Sequence, residues 1–243
     1  MRCKIFIFRH AQSTDNARKI FSGWRDPALT AQGRAQARKI AKQLKKERID
    51  VAFSSSRKRA TETLRIALGG RKVPTIVDDR LIERSYGNLQ GKNKERVAKQ
   101  LGAAAWRRIH RGYSVVPPGG ESVKMVEKRV YAFIKELERF LKAYPCNVAI
   151  SCHGNSMRPL RKWYQHLSTK QEMALENPQD TDVEIDLDRL AKKASAHDCV
   201  TLAHKHIRGG TVCAKHEEKV IASFFPGKRI VRVTLPRKMK PRF

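Results

Sequence analysis

The chain alternates between short apolar runs and longer stretches in which apolar residues return every three or four positions. Cys3–Phe8, Asp50–Ser54, Thr75–Val77, Asn147–Ser151 and Val183–Leu187 are strand-sized. Between the first two, Ala37, Ile40, Ala41 and Leu44 share i, i+3, i+4, i+7 spacing, which predicts a helix within Thr30–Glu47 with Thr30 as its N-cap. Ser56–Leu68 has a helical pattern too. Ser122–Ala143 places Val126, Val130, Phe133, Ile134, Leu137 and Leu141 on one face until Pro145 ends it. This strand–helix–strand rhythm predicts an α/β fold: a three-layer sandwich with a mostly parallel central sheet and helices on both faces. Val183, Ile185 and Leu187 alternate with Asp182, Glu184, Asp186 and Asp188, the pattern of an edge strand.

Two regions break the rhythm. Residues 84–120 form a long excursion between strands, with a polar helix near Asn93–Leu101 and the turn cluster Pro117-Pro118-Gly119-Gly120. Insertions of that length in compact α/β folds often cover a substrate, so this one reads as a cap. Beyond about Leu190 the composition shifts to Lys, His and Gly. The expected organisation is a catalytic domain over residues 1–190 and a basic C-terminal appendage over 191–243.

Charge adds a constraint. The 243 residues hold 52 Lys+Arg against 23 Asp+Glu, a formal net charge of +29. Residues 191–243 contribute +10 of this, from 13 Lys/Arg and 3 Asp/Glu, so basic character runs through the whole chain. An anionic partner is implied. The basic stretches lack interleaved aromatics, so nucleic acid enters only as a nonspecific electrostatic partner. No apolar run is long enough to span a bilayer. Residue 1 leads almost directly into a strand, without the pattern of a secretory signal, and the five cysteines are irregularly spaced. Free thiols in a reducing, cytoplasmic setting are the expectation. A homo-oligomer is left open.

Candidate chemistry gathers at strand ends. Phe8-Arg9-His10-Ala11-Gln12-Ser13 runs from a strand into Arg-His, and ligands in parallel sheets sit beyond the carboxyl ends of strands. An imidazole held there can attack phosphorus, with a neighbouring guanidinium on the equatorial oxygens. Asn147–Ser151 likewise delivers Cys152-His153-Gly154-Asn155-Ser156, with a helix start beyond it. Asp50–Ser54 delivers Ser54-Ser55-Ser56 and then Arg57-Lys58-Arg59. Singly these are a capping histidine and a solvated basic face; together they aim at one sheet edge.

These segments resemble the histidine phosphatase superfamily, and within it the cofactor-dependent phosphoglycerate mutases. The likeness is carried by Arg9-His10-Ala11-Gln12-Ser13 with Asn16, Phe21-Ser22-Gly23-Trp24, Ser54 through Ala60, Glu83-Arg84-Ser85-Tyr86-Gly87, Gln90–Lys94, Pro117–Ser122 and His153–Arg158. It implies a mutase acting on 3- and 2-phosphoglycerate in glycolysis and gluconeogenesis, with 2,3-bisphosphoglycerate as phosphoryl primer and no metal. His10 would carry the phosphoryl group, Arg9, Arg59 and His153 would surround it, and Glu83 would be the general acid/base. Asn16, Ser22, Gly23, Arg84, Tyr86, Lys94, Gly154 and Asn155 would meet a small phosphorylated substrate. The cap's cation pair falls at His110 and Arg111 when counted from both flanks, with Arg111 preferred to His110, although Trp106-Arg107-Arg108 has the familiar look. Ala11, Gln12 and Asp15 depart from the usual pattern. Two other readings stand beside the mutase: a histidine phosphatase acting on another phosphomonoester, and a basic nucleic-acid-binding protein on this scaffold. His197, Cys199, His204, His206, Cys213 and His216 suggest zinc, but match no closed structural zinc spacing.

Overall fold

The computed structural model describes residues 3–187 and 213–232. In chain order its elements are β1 (Lys4–Arg9), α1 (Thr14–Ala17), α2 (Ala31–Gln43), β2 (Val51–Ser54), α3 (Lys58–Ala67), β3 (Pro74–Val77), α4 (Lys94–Arg111), α5 (Val123–Ala143), β4 (Val148–Cys152), α6 (Gly154–Gln165), α7 (Thr169–Ala174), β5 (Asp182–Asp186), α8 (Cys213–Phe224) and β6 (Arg229–Arg232). The sheet order is β5-β1-β4-β2-β3-β6. The inner four strands are parallel, and the edges β5 and β6 are antiparallel to their neighbours. The acid-lined strand expected at an edge is there as β5.

Side-chain alternation along β1 builds the three layers. Ile5 and Ile7 join Phe133, Leu137 and Leu160 on one face, from α5 and α6. Phe6 and Phe8 join Ile40 of α2, Leu44 just past its end, and Leu64 of α3 on the other. Strand residues point alternately up and down, so a strand buried on both faces is apolar throughout, as this one is. The predicted Thr30 cap forms, its Oγ1 accepting the Gly33 N–H at 2.9 Å, and Ser122 Oγ caps α5 by accepting that of Met125 at 3.1 Å.

The excursion is anchored at both ends. Gly87 has φ +51°, and a Cβ there would lie 2.1 Å from the Pro118 carbonyl, so only glycine lets the start of the excursion meet the Pro-Pro-Gly-Gly turn. Its helix α4 is interrupted at Gly102, which leaves helical geometry (φ 74°, ψ 163°) and separates the expected polar helix from a second segment through Arg111.

The chain end differs from the expected appendage. Of residues 191–243, the stretch 213–232 is built into the layers. β6 pairs with β3, Ile221 is buried, and Phe225 is fully buried with its ring 5.0 Å from Phe53 and 5.7 Å from Phe140. The reason is non-local: without β6, β3 would be an unpaired sheet edge. The rest of the tail, and its His and Cys side chains whose spacing fits no zinc pattern, lie outside the described residues. Cys3, Cys146 and Cys152 carry free thiols. Among the described residues no helix is long and apolar enough to cross a membrane, and no group of three or more His, Cys, Asp or Glu side chains is placed to hold a metal ion.

Truncating Phe225 tests how firmly the tail is built in. Phe225→Ala should lower unfolding stability by roughly 3–5 kcal/mol, read by denaturant melts. A loss within a few tenths of a kcal/mol would place it outside the cooperative core.

Candidate active site

Register brings the two histidines together. β1 and β4 are parallel neighbours with Arg9 opposite Cys152, so His10 and His153, one residue beyond, emerge side by side. Their ring centroids are 4.9 Å apart, and the His10 N–H donates to the Cys152 carbonyl at 2.9 Å. From the end of β2 the chain turns into α3, whose first turn carries Arg59. Its Nε lies 3.2 Å from His10 Nε2, while Nη1 and Nη2 donate to the carbonyls of Arg25 (2.6 Å) and Gly23 (2.8 Å). All three predicted strand ends converge.

The hydrogen bonds around His10 define its tautomer. Nδ1 lies 2.8 Å from the Ala11 carbonyl, which can only accept, so Nδ1 carries the proton. Nε2 therefore holds a lone pair, facing the Arg59 N–H. Burial, then the charges of Arg59 and Arg9, hold the imidazole well below the usual histidine pKa. The result is a neutral ring with a directed lone pair in cationic surroundings. Arg59 is itself lowered to about 10, mainly by burial, and stays charged at neutral pH.

The pocket of about 150 Å³ in front of this pair is lined by Arg9, His10, Asn16, Ser22, Gly23, Arg59, Glu83, Tyr86, Lys94, His110, Gly154 and Asn155, with Arg158, Met173, Glu176 and Asn177 completing the wall. Glu83 Oε1 accepts from Arg84 N (2.8 Å), Asn155 N (3.2 Å) and Asn155 Nδ2 (3.0 Å), which leaves Oε2 as the oxygen free to exchange a proton. Asn155 Nδ2 also donates to the Tyr86 hydroxyl at 3.1 Å. Burial, then repulsion from Arg9, lowers the Lys94 pKa. His153 sits behind the wall, its Nε2 2.7 Å from Ser55 Oγ. Burial and Arg59 hold its pKa well below the usual value.

Among the described residues, Arg9 Nε, Ser22 Oγ and His153 Nδ1 are buried without a hydrogen-bond partner. An unpaired buried polar group costs about 1–3 kcal/mol. Three of them beside one cationic pocket fit a site shaped for a polyanion, whose oxygens accept what the protein leaves unpaired.

Several residues sit elsewhere than expected. Arg84 is not on the wall: its Nε donates to the Glu121 carbonyl (2.6 Å) and its Nη2 to that of Val115 (2.9 Å), so this guanidinium ties the cap to the body. Of the two cap registers, His110 lines the pocket, its ring stacked 4.7 Å from Trp106, while Arg107 and Arg108 are exposed and off the wall. Arg111 closes α4, and its side chain lies outside the described set. The Ala11 methyl is buried with Leu29 and Ala37, away from the pocket, and its N–H donates to Thr63 Oγ1 at 3.0 Å. Asp15 is buried and paired with Arg25 at 3.1 Å.

Sequence reasoning missed the wall formed by α6 and the chain after it. Arg158 follows Asn155 by three residues and so shares its helix face, a signal present but unused. Asn177 and Gln179 gave no such signal. Arg9 Nη1 donates to the Asn177 carbonyl (3.1 Å), Asn177 Nδ2 to Gly154 O (3.0 Å), and Gln179 Nε2 to both His10 O (3.1 Å) and Asn16 Oδ1 (3.0 Å). This turn clasps the site together.

A neutral buried histidine poised against a cationic anion pocket, on a parallel sheet with antiparallel edges, is the arrangement of a histidine phosphatase. The sequence model of the histidine phosphatase superfamily (branch 1) matches residues 5–198, and the chain belongs to that superfamily. It is 39% identical over 178 residues to the 2,3-bisphosphoglycerate-dependent phosphoglycerate mutase of Parvibaculum lavamentivorans, covering 70% of this chain and 84% of that one. To the protein of the same name from Cytophaga hutchinsonii it is 41% identical over 170 residues, covering 68% and 78%. Among solved structures, a mycobacterial glucosyl-3-phosphoglycerate phosphatase superposes with a TM-score of 0.63 at 26% identity, covering 75% of this chain and 91% of that one.

The lowered histidine pKa values have a consequence for stability. An unfolded histidine takes a proton near pH 6.5, and the folded His10 and His153 refuse it. Stability should therefore be complete above pH 6.5 and decline as pH falls below it. Thermal melts from pH 7.5 to 5 check this. His10→Asn should flatten the decline, and an unchanged slope would mean that His10 accepts a proton freely.

Proposed function

We propose that this protein is a 2,3-bisphosphoglycerate-dependent phosphoglycerate mutase, interconverting 3-phosphoglycerate and 2-phosphoglycerate through phosphohistidine at His10. The observation that carries this reading is the His10 imidazole: protonated at Nδ1, unprotonated at Nε2, and flanked by Arg9 and Arg59. The relatives at 39% and 41% identity bear the mutase name, and the unpaired donors of the pocket fit a multiply charged phosphate ester.

The primer supplies the phosphoryl group, and Arg9, Arg59, Lys94 and Ser22 would hold it. His10 Nε2 forms a bond to phosphorus as the phosphorus–oxygen ester bond breaks. Arg59 and Arg9 carry cationic charge to the equatorial oxygens, and His153, packed against the His10 ring with its Nε2 on Ser55 Oγ, backs the nucleophile. Such preorganised positive charge provides most of the catalysis in phosphoryl transfer. Glu83 Oε2 moves the proton: to the departing ester oxygen in one direction, and from the attacking hydroxyl in the other. Ser22, Asn16 and Asn155 orient the acceptor so that either hydroxyl can meet phosphorus, and His110 closes the cap side. No step requires a metal.

The residue roles predict separable effects. Incubation with labelled 2,3-bisphosphoglycerate should give an acid-labile phosphate on His10, absent in His10→Ala, and mutase activity should require the primer. Glu83→Gln should lower turnover about 10²–10⁴-fold while leaving the fold intact. Isomerisation without primer, or phosphate release outrunning isomerisation on the same sample, would overturn the mutase reading, the second in favour of a phosphatase.

A further inference from the structure

The end of the sheet opposite the pocket carries charge that catalysis does not use. α2 and α3 each follow a parallel strand and run back along it, so their C-terminal ends gather at the amino edge of the sheet, as does that of α5 before β4. Hydrogen bonds tie the three ends together. Arg71 Nη1 donates to the carbonyls of Leu44 (3.2 Å) and Glu47 (2.8 Å), and Asn147 Nδ2 donates to Arg48 O at 2.9 Å. On this pole Lys42, Lys45, Lys46, Lys72 and Lys142 are exposed, and among the described residues none has an ion-pair or hydrogen-bond partner. The neighbouring carboxylates are taken: Lys4 pairs with Glu47 and Glu184, and Arg48 with Asp50.

Lysines at helix C-termini complement the helix dipole, and that accounts for part of the pattern at about 0.3–1 kcal/mol each. It does not account for Lys72, which stands past the end of α3 in the loop to β3, nor for convergence of three ends into one unpaired field.

We propose that this basic pole binds the sugar–phosphate backbone of nucleic acid, independently of the catalytic pocket. The surface chemistry selects among anionic partners. An electrostatic membrane dock needs apolar groups or a lipid chain as a second anchor. A protein interface is organised around buried aromatic or aliphatic anchors. The exposed large apolar residues of the described chain are Trp24, Leu101, Val116 and Met125, and none is on this pole. A purely ionic face fits a partner whose contacts are mostly phosphates and whose affinity comes from counterion release. Such binding reads no sequence.

The test is the salt dependence of binding of the full-length protein to a labelled oligouridylate by fluorescence anisotropy, with 3-phosphoglycerate present to occupy the pocket. Single strands give a log–log slope of about −0.7 per neutralised phosphate. Lys45→Glu, Lys46→Glu and Lys72→Glu together should flatten the wild-type slope by about 2 and weaken binding, with the fold, read by circular dichroism, and the activity at His10 unchanged. Absence of wild-type binding, an unchanged slope in the triple variant, or loss of the complex when the pocket is filled would overturn the proposal. Equal retention by vesicles of anionic phospholipid, lost in the same variant, would assign the pole to a lipid surface instead.

Discussion

Everything at this site depends on keeping one imidazole neutral among positive charges. His10 is buried with Arg59 against its Nε2, and a proton on that nitrogen would meet both desolvation and repulsion. The Ala11 carbonyl completes the arrangement by fixing the only proton on Nδ1. Nucleophile and electrostatic stabiliser are thus one construction: the cations that make the lone pair available are those that would face phosphoryl oxygens. Burying guanidinium is costly unless its donors are met. Arg59 meets that demand with backbone carbonyls of Arg25 and Gly23, which hold it without neutralising it. A carboxylate partner would have cancelled the field the chemistry needs.

The scaffold serves that construction. Parallel pairing of β1 with β4, and of β4 with β2, puts three chain exits at one edge, and the rigidity of strands buried on both faces fixes their spacing. The turn containing Asn177 and Gln179 then closes the ring by binding the backbone or side chains of Arg9, His10, Asn16 and Gly154. Arg84 and Gly87 join the cap to the body, so residues flanking the proposed acid/base hold the cap in place and leave the pocket wall to Glu83 and Tyr86. The same topology polarises the molecule. Strand ends concentrate chemistry at one pole, and helix ends concentrate unpaired lysines at the other.

The layers and the strand exits are legible along the chain because they rest on local rules, whereas Ser22, Glu83, Tyr86, Lys94 and Asn155 are named through the family resemblance. Apolar runs with helical stretches between them imply a covered parallel sheet, and the residue after each strand must emerge at its carboxyl edge. His10 and His153 follow from that rule; Arg59, five residues past β2, is singled out by the family resemblance, and gap-free counting through the cap favours Arg111 over the His110 that the wall holds. Arg84 misled because adjacency to Glu83 says nothing about where a long side chain finds carbonyls.

By itself, then, the order of residues determined the period of each element, the strand exits and the sign of the field, since these depend on neighbours a few positions away. Only the tertiary structure decided that Arg84 serves the cap, that Asn177 and Gln179 clasp the nucleophile, and that Phe225 and β6 complete the sheet. Each of those rests on a partner far along the chain, where packing and the need to satisfy buried polar groups select the contact and no local pattern announces it.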